Sequence, residues 1–326
     1  MQTAHLPAYR AMDFPVAGIF DIRREVAVRT AASFGVPRVF DSMADACASA
    51  GVVYDVAVPG DQTLDVLERL PTGAAVLVQK PMGGDLAQAR AIRTRVRDRG
   101  MTAAVNLQLR FSPGMLALRD LLHRGMLGEL VDVDVRIVID QPWHLWPFLE
   151  RVPRLELPYH SIHYLDAIRW IAGEPLGVYC RAARHPGLPA LPDTRSSIIL
   201  NYGDRLRCSL VLNHTHRAGP RHRASQLVVE GTRGAARLTW GVNLSYPAGP
   251  ADTMEVSLEG EWRPVPLRGS WFIEAFEGPM SNLQRFVAGE DRELVGSVDD
   301  AIRTMAVVDA CYTSSDGGGT PIPTVD

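Results

Sequence analysis

Lys80 closes a short apolar run, Ala74–Gln79 (Ala-Ala-Val-Leu-Val-Gln), and Pro81 follows it. A buried strand there delivers the lysine to its carboxyl end, where open α/β sheets bind ligands. An ammonium in that place needs water, a phosphate, a hydroxyl or a carbonyl to meet it. The alternative is a lysine that snorkels to solvent at a strand end. His160 and His163 sit three residues apart in a segment, 158–171, that reads as a helix with Pro158 in its first turn. That spacing puts both imidazoles on neighbouring turns of one face. Histidine suits proton exchange because its ordinary pKa is close to physiological pH. Glu156 precedes the turn and is placed to orient either ring; the alternative is two helix histidines satisfied by local hydrogen bonds. Asp21 ends the run Val16–Phe20. A carboxylate at such a strand end binds adenosine ribose hydroxyls in a dinucleotide site and disfavours a 2′-phosphate. Arg23 and Arg24 follow and offer the opposite preference, and Asp21 also suits a helix N-cap.

Other groups carry weaker chemistry. The segment 141–148 (Gln-Pro-Trp-His-Leu-Trp-Pro-Phe) concentrates aromatics. Trp143 and Trp146 read equally as a wall that stacks on a sugar ring and as an oligomer contact, where tryptophan is enriched. His214 and His216 share one side of an extended segment, with His222 near; a polar loop is the favoured reading over a metal triplet. No third ligand accompanies His160 and His163 at useful spacing, so no metal is expected. The four cysteines, Cys47, Cys180, Cys208 and Cys311, are far apart and lack metal spacing. They read as buried thiols of a reducing cytoplasm.

The whole chain sets bounds. Its 326 residues allow two domains, and 46% apolar with 22% charged residues describes a globular protein with large cores. The formal net charge of −3 gives no basic field for nucleic acid, and Arg217, Arg221 and Arg223 read as a solvated loop. No apolar run approaches a membrane span, and residues 1–10 hold no signal-peptide core.

The elements that must position these groups fall into two patterns. Over residues 1–108 short apolar runs alternate with helical patterns: a helix at 3–11, strands at 16–20, 52–58, 74–79 and 101–107, and helices at 23–34, 61–70 and 85–99, with Ser42 capping a short helix. Such alternation means βαβ units and a parallel sheet. Over 109–326 the period changes to two. Val131, Val133, Val135, Ile137 and Ile139 share one face of a strand expected to be antiparallel. Further alternating runs lie at 197–202, 206–213, 224–230, 254–258 and 262–267, with Gly231 and Gly234 at a hairpin turn. Helices at 272–288 and 298–312 close the chain. The expectation is α/β plus α+β: a parallel-sheet dinucleotide-binding domain, 1–108, and a domain with a large, mostly antiparallel open sheet and helices on one face, 109–326.

A dinucleotide-binding domain normally opens with a strand and a glycine-rich turn that presents a helix N-terminus to pyrophosphate. Neither is found ahead of the helix at 3–11. Loss of a central strand would remove about four buried side chains worth roughly 1.5–3 kcal/mol each. The expectation is therefore a chain shortened at its N-terminus or read from a misplaced start codon.

Gln79-Lys80-Pro81 resembles the Glu-Lys-Pro motif of the Gfo/Idh/MocA family (glucose–fructose oxidoreductase, inositol dehydrogenase and relatives). The segment 160–166 (His-Ser-Ile-His-Tyr-Leu-Asp), with Gly173-Glu174-Pro175, resembles that family's histidine helix, and 106–113 (Asn-Leu-Gln-Leu-Arg-Phe-Ser-Pro) its domain crossover. The likeness runs in order over nearly the whole chain. It implies an incomplete Rossmann domain, a nicotinamide cofactor (NAD, with NADP possible), a sugar, cyclitol or related polyol substrate, and a homodimer or homotetramer built on the second sheet. It implies that Lys80 touches the reacting hydroxyl or the nicotinamide ribose and that His163 is the acid/base, with His160 sharing that work. Cofactor contacts are expected from Asp21, Ile22, Arg23, Val58, Pro59, Gln79, Lys80 and Asn106, and substrate contacts from Trp146, Glu156 and Tyr159. Two motif positions depart from the family pattern: Gln79 stands for a glutamate, and Tyr159 for an aspartate.

The resulting expectation is an NAD(P)-dependent oxidoreductase acting on a CH–OH group, with Lys80 and His163 converging on one cleft. Two other readings share these residues: a lyase or hydrolase that oxidises its substrate transiently with NAD, and a non-catalytic relative that has lost cofactor binding.

Overall fold

A computed structural model of the chain describes residues 1–323. In chain order the helices are α1 (His5–Ala11), α2 (Arg24–Phe34), α3 (Met43–Cys47), α4 (Thr63–Arg69), α5 (Leu86–Asp98), α6 (Pro113–His123), α7 (Ile162–Ala172), α8 (Glu277–Val287) and α9 (Val298–Asp316). The strands are β1 (Val53–Val56), β2 (Ala75–Val78), β3 (Thr102–Val105), β4 (Leu130–Val138), β5 (Gly177–Ala183), β6 (Arg195–Asn201), β7 (Arg207–Asn213), β8 (Ala224–Gly231), β9 (Gly234–Thr239), β10 (Thr253–Leu258) and β11 (Glu261–Val265). Packing divides them into two units, one of Met1–Ser112 with Trp271–Arg303 and one of Pro113–Ser270 with the residues from Thr304 on. A division after residue 108 follows the sequence pattern alone. The return of 271–303 to the first unit has a packing cause: Met280 and Leu283 of α8 join the apolar cluster of Leu6, Tyr9, Ala31, Val36, Leu77 and Ala104.

The first unit is a parallel sheet in the order β1-β2-β3, with Asp55 opposite Leu77 and Leu77 opposite Ala104. All four residues of β2 are buried, as a strand covered on both faces requires. Ser42 caps α3 by accepting from Asp45 N at 3.0 Å, and Asp85 caps α5 by accepting from Gln88 N at 2.8 Å. The strand expected at 16–20 is reduced to one parallel bridge between Ile19 and Val39. Pro15 has no N–H for a ladder, and Gly18 has no side chain to pack.

The second unit carries a sheet of eight strands in the order β11-β10-β9-β8-β4-β7-β6-β5. β4 was expected to be antiparallel. It is antiparallel to β8 but parallel to β7, and every other neighbour is antiparallel. Val133, Val135, Ile137, Ile198, Leu200, Leu210, Leu212, Leu227 and Val229 are buried on one face, whereas Tyr179, Ile199 and Val211 of the opposite parity are exposed. The glycines of the β8–β9 hairpin answer to close backbone approach: a Cβ on Gly231 would lie 2.2 Å from the Leu127 carbonyl oxygen, and one on Gly234 2.6 Å from that of Ser257.

The motif residues of α7 have a structural task within this unit. The Thr304 hydroxyl donates to Asp166 at 2.7 Å and accepts from Arg169, whose guanidinium also grips Glu174 through Nε at 2.9 Å. These bonds tie α7 to α9 through groups that would be costly to bury unpaired. Among the described residues, no helix is long and apolar enough to cross a membrane.

Candidate active site

In the first unit the chemistry gathers where the parallel strands end. Leu77 and Ala104 point to the α1 side of the sheet, so Gln79 and Asn106, two residues further along, follow them to that side. Asp55, their neighbour on β1, is met there by α1. His5 Nδ1 lies 2.7 Å from Asp55 Oδ2, and the Tyr9 hydroxyl donates to the same oxygen at 2.6 Å. Gln79 Nε2 donates to Asp55 Oδ1 at 3.2 Å, Asn106 Nδ2 donates to Gln79 Oε1 at 3.1 Å, and Asn106 Nδ2 faces His5 Nε2 at 3.4 Å. Four side chains thus close a polar ring, and Tyr9 donates into it. Burial alone would raise the Asp55 carboxyl; the charge and hydrogen bond of His5, with hydrogen bonds from Tyr9 and Gln79, outweigh it and hold the group below its ordinary value. Burial, then the Asp55 charge and hydrogen bond, push the Tyr9 hydroxyl far above its usual range.

Lys80 leaves the end of β2 beside this ring, half-buried, and the Lys80–Pro81 bond is cis. Burial lowers its pKa to about 8, so the group can donate a hydrogen bond and exchange a proton near neutrality. The turn of Val58 and Pro59 leads to Gly60, where a Cβ would lie 2.8 Å from the Gly83 carbonyl oxygen and 3.0 Å from that of Pro81. The loops after β1 and β2 therefore touch through backbone. Further along the unit, Asp21 accepts from Arg23 N at 2.8 Å, the Ile22 side chain is exposed, and Arg24 is paired with Asp41.

The residues at these strand ends leave polar atoms open to a bound ligand. Asn106 Oδ1 and Thr63 Oγ1 are buried polar atoms with no hydrogen-bond partner among the described residues. Such atoms call for a partner, and both belong to segments that follow strands β3 and β1. A pyrophosphate cradle has no counterpart in the residues described: α1 has seven residues, and Ala4 at its N-cap gives no side-chain cap.

In the second unit the histidine helix begins with a π turn, Leu157–Ser161, before α7. A single regular helix over 158–171 was expected. His160 lies inside the π turn and His163 in the regular helix that follows, and such turns recur at functional sites. Glu156 at its start is fully buried. It was expected to orient His160 or His163. Instead its Oε1 accepts from the Ser161 hydroxyl at 2.9 Å, and its Oε2 lies 2.9 Å from Nδ1 of His214. His214 is 1% exposed and not part of a polar loop, because the end of β7 turns it inward. The His160 ring packs against that of His214 at 4.5 Å between centroids and meets Trp143 edge-on at 5.1 Å. His163 is 7% exposed.

Trp146 lies against Tyr246 at 5.4 Å, and Tyr159 against Phe148 at 5.9 Å. Trp143, Trp146, Phe148 and Tyr159 all pack on the apolar cluster of Leu149, Leu155 and Leu191. Among the described residues no group of three or more His, Cys, Asp or Glu is placed to hold a metal ion.

Sequence reasoning missed His5, Tyr9 and Asp55, and it read His214 as part of a polar loop where the structure buries it. Asp55 had a signal: it is the single charged residue inside the apolar run 52–58.

Comparison with known proteins places these features. Residues 115–237 match the family model described as GFO/IDH/MocA C-terminal domain. D-apiose dehydrogenase of Paraburkholderia graminis is 25% identical over 329 residues, spanning 97% of this chain and 85% of that protein. Inositol 2-dehydrogenase of Rhizobium meliloti is 25% identical over 277 residues, spanning 79% of this chain and 77% of that protein. The fold is shared with levoglucosan dehydrogenase, solved with NADH and levoglucosan, at a TM-score of 0.80 and 17% identity over 96% of this chain and 94% of that one.

Proposed function

The chain belongs to the Gfo/Idh/MocA family of oxidoreductases, and we propose that it is an NAD(P)-dependent dehydrogenase acting on a secondary alcohol of a sugar, cyclitol or related polyol. The observation that carries this reading is Lys80: an ammonium drawn down to about 8 by burial at the carboxyl end of a parallel strand, beside the ring of Asp55, Gln79 and Asn106. Relatives that act on apiose and inositol, as their names state, support the substrate class.

Hydride exchange is the chemistry that a bound nicotinamide supplies. Asn106 and Thr63 would hold its ring and ribose end, Val58 and Pro59 would flank it, and Asp21 with Ile22 and Arg23 would meet the adenosine ribose. Asp21 favours NAD over NADP, since a carboxylate there repels a 2′-phosphate and Arg24 is already engaged by Asp41. Lys80 donates a hydrogen bond to the reacting oxygen and steadies the charge that develops on it. His163 exchanges that oxygen's proton, the work histidine does best near neutral pH. His160 takes part in the same proton exchange, and Trp146, Tyr159 and Glu156 shape or support the polyol side.

A reducing cytoplasm is our reading of its location, which suits four free cysteines. The chain is also assigned to a homodimer or homotetramer built on the exposed face of the large sheet, where Tyr179, Ile199 and Val211 stand uncovered. The activity is tested by offering a panel of sugars and cyclitols with NAD and with NADP, and repeating the productive pair with Lys80→Ala and His163→Asn. Absence of reduced cofactor with every substrate would remove the assignment.

A further inference from the structure

Glu156 and His214 come from distant parts of the chain and are the most deeply buried carboxylate and imidazole of the second unit that meet each other. Glu156 Oε1 is taken by the Ser161 hydroxyl at 2.9 Å, and its Oε2 stands 2.9 Å from His214 Nδ1. The backbone fixes both partners. Glu156 N donates to Asp193 Oδ2 at 3.2 Å, and His214 N donates to the Thr194 carbonyl at 3.1 Å. Among the described residues Ser161 alone donates a hydrogen bond to the Glu156 carboxylate. Its Oε2 stands next to His214 Nδ1 without hydrogen-bond geometry, so a positive charge at hand favours this buried carboxylate.

The His160 ring lies against that of His214, ring centroids 4.5 Å apart. Trp143 meets the His160 ring edge-on. Two imidazolium ions at that separation would repel each other strongly. A carboxylate next to two imidazoles favours a positive charge on one of them. We propose that Glu156 and His214 are positioning residues for His160, holding one proton among the three side chains so that His160 gains or releases it within the π turn. The role in turnover rests on the dehydrogenase reading above.

Other titratable groups surround this trio. Asp193, on the loop before β6, accepts from Leu155 N at 2.9 Å and from the Tyr312 hydroxyl of α9 at 2.8 Å. Burial and then the charge of Glu156 push its carboxyl up, against the hydrogen bonds that pull it down. Tyr164 of α7 and Tyr312 both feel the Glu156 charge and stay protonated. None of these supplies a cation, which leaves the imidazoles as the partners of the carboxylate within this set.

The experiment is a titration of the histidine side chains by nuclear magnetic resonance in the protein without added cofactor, combined with the pH dependence of kcat. Glu156→Gln keeps the shape and removes the charge. His160 should then titrate about one pH unit lower, a tenfold loss of proton affinity, and the acid limb of kcat should move with it. His214→Gln keeps a donor to the carboxylate and removes the competing ring, so His160 should titrate higher. Should Glu156→Gln fail to fold, the upward shift in His214→Gln decides by itself. A His160 titration that stays in place in the folded variants overturns the proposal. So does a titration that moves while the kcat limb does not, since the pair would then be structural only. If no polyol yields reduced cofactor, the dehydrogenase reading falls, and the titration still decides whether the three side chains share a proton.

Discussion

Asp55 Oδ2 and His5 Nδ1 meet at 2.7 Å inside the first unit, joining α1 to the middle of a parallel strand where an apolar side chain would be usual. Both groups are buried; Gln79 and Asn106 complete the ring with them, and Tyr9 donates into it.

Removing one partner of this pair leaves the rest buried and unpaired. Asp55→Ala should destabilise the protein by about 3–5 kcal/mol, measured by denaturant unfolding. The pH dependence follows from the direction of the shift. The carboxyl titrates below its ordinary value of 3.8 in the folded chain. Its contribution is therefore complete above that value and fades as pH falls through the folded one. Asp55→Asn should flatten this acid-side loss of stability; an unchanged acid profile would separate Asp55 from it.

Lys80 gives the opposite limb. Its pKa falls from 10.5 to about 8 on folding because burial disfavours the ammonium. The unfolded chain therefore binds the proton more tightly between these values, and stability should rise with pH from about 8 towards 10.5. Lys80→Met should abolish this rise. Equal slopes in the two proteins would show that position 80 keeps its proton throughout.

The uncovered sheet face predicts assembly. Ile199→Asp places a charge among Tyr179, Ile199 and Val211, which are all exposed in the single chain. Its mass in solution should fall to that of one chain, with stability changed by less than about 1 kcal/mol. An oligomer of unchanged size would move the interface elsewhere.

The tie between α7 and α9 predicts a stability effect at a motif residue. Thr304→Val removes the hydroxyl that joins Asp166 to Arg169 and should cost about 1–3 kcal/mol, read from the thermal midpoint. A neutral substitution would show that Asp166 and Arg169 satisfy each other directly.

Much of this architecture could be read from residue order. Period-two alternation placed Val131, Val133, Val135, Ile137 and Ile139 on one face; the last four are buried, whereas Val131, at a register shift against β8, is exposed. The run before Lys80 gave a fully buried strand. What local pattern does not contain is pairing between distant segments. The parallel partner of β4 is β7, more than seventy residues away in sequence, and no periodicity in β4 records it. The same holds for the site. His160 and His163 were visible as a pair, but Glu156 at the start of the π turn meets Asp193 and His214, neither of which is near it in sequence. Asp55 drew no notice because one carboxylate in an apolar run acquires meaning only when His5 and Tyr9 arrive from another helix.

The most direct measurement is the steady-state rate of reduced nicotinamide formation from the best polyol, in the unaltered protein and in Lys80→Ala. The account predicts accumulation of reduced cofactor in step with oxidised polyol, and a loss of kcat of about 10²-fold or more in the variant while the protein stays folded. A folded Lys80→Ala protein that turns over at nearly the original rate would contradict it.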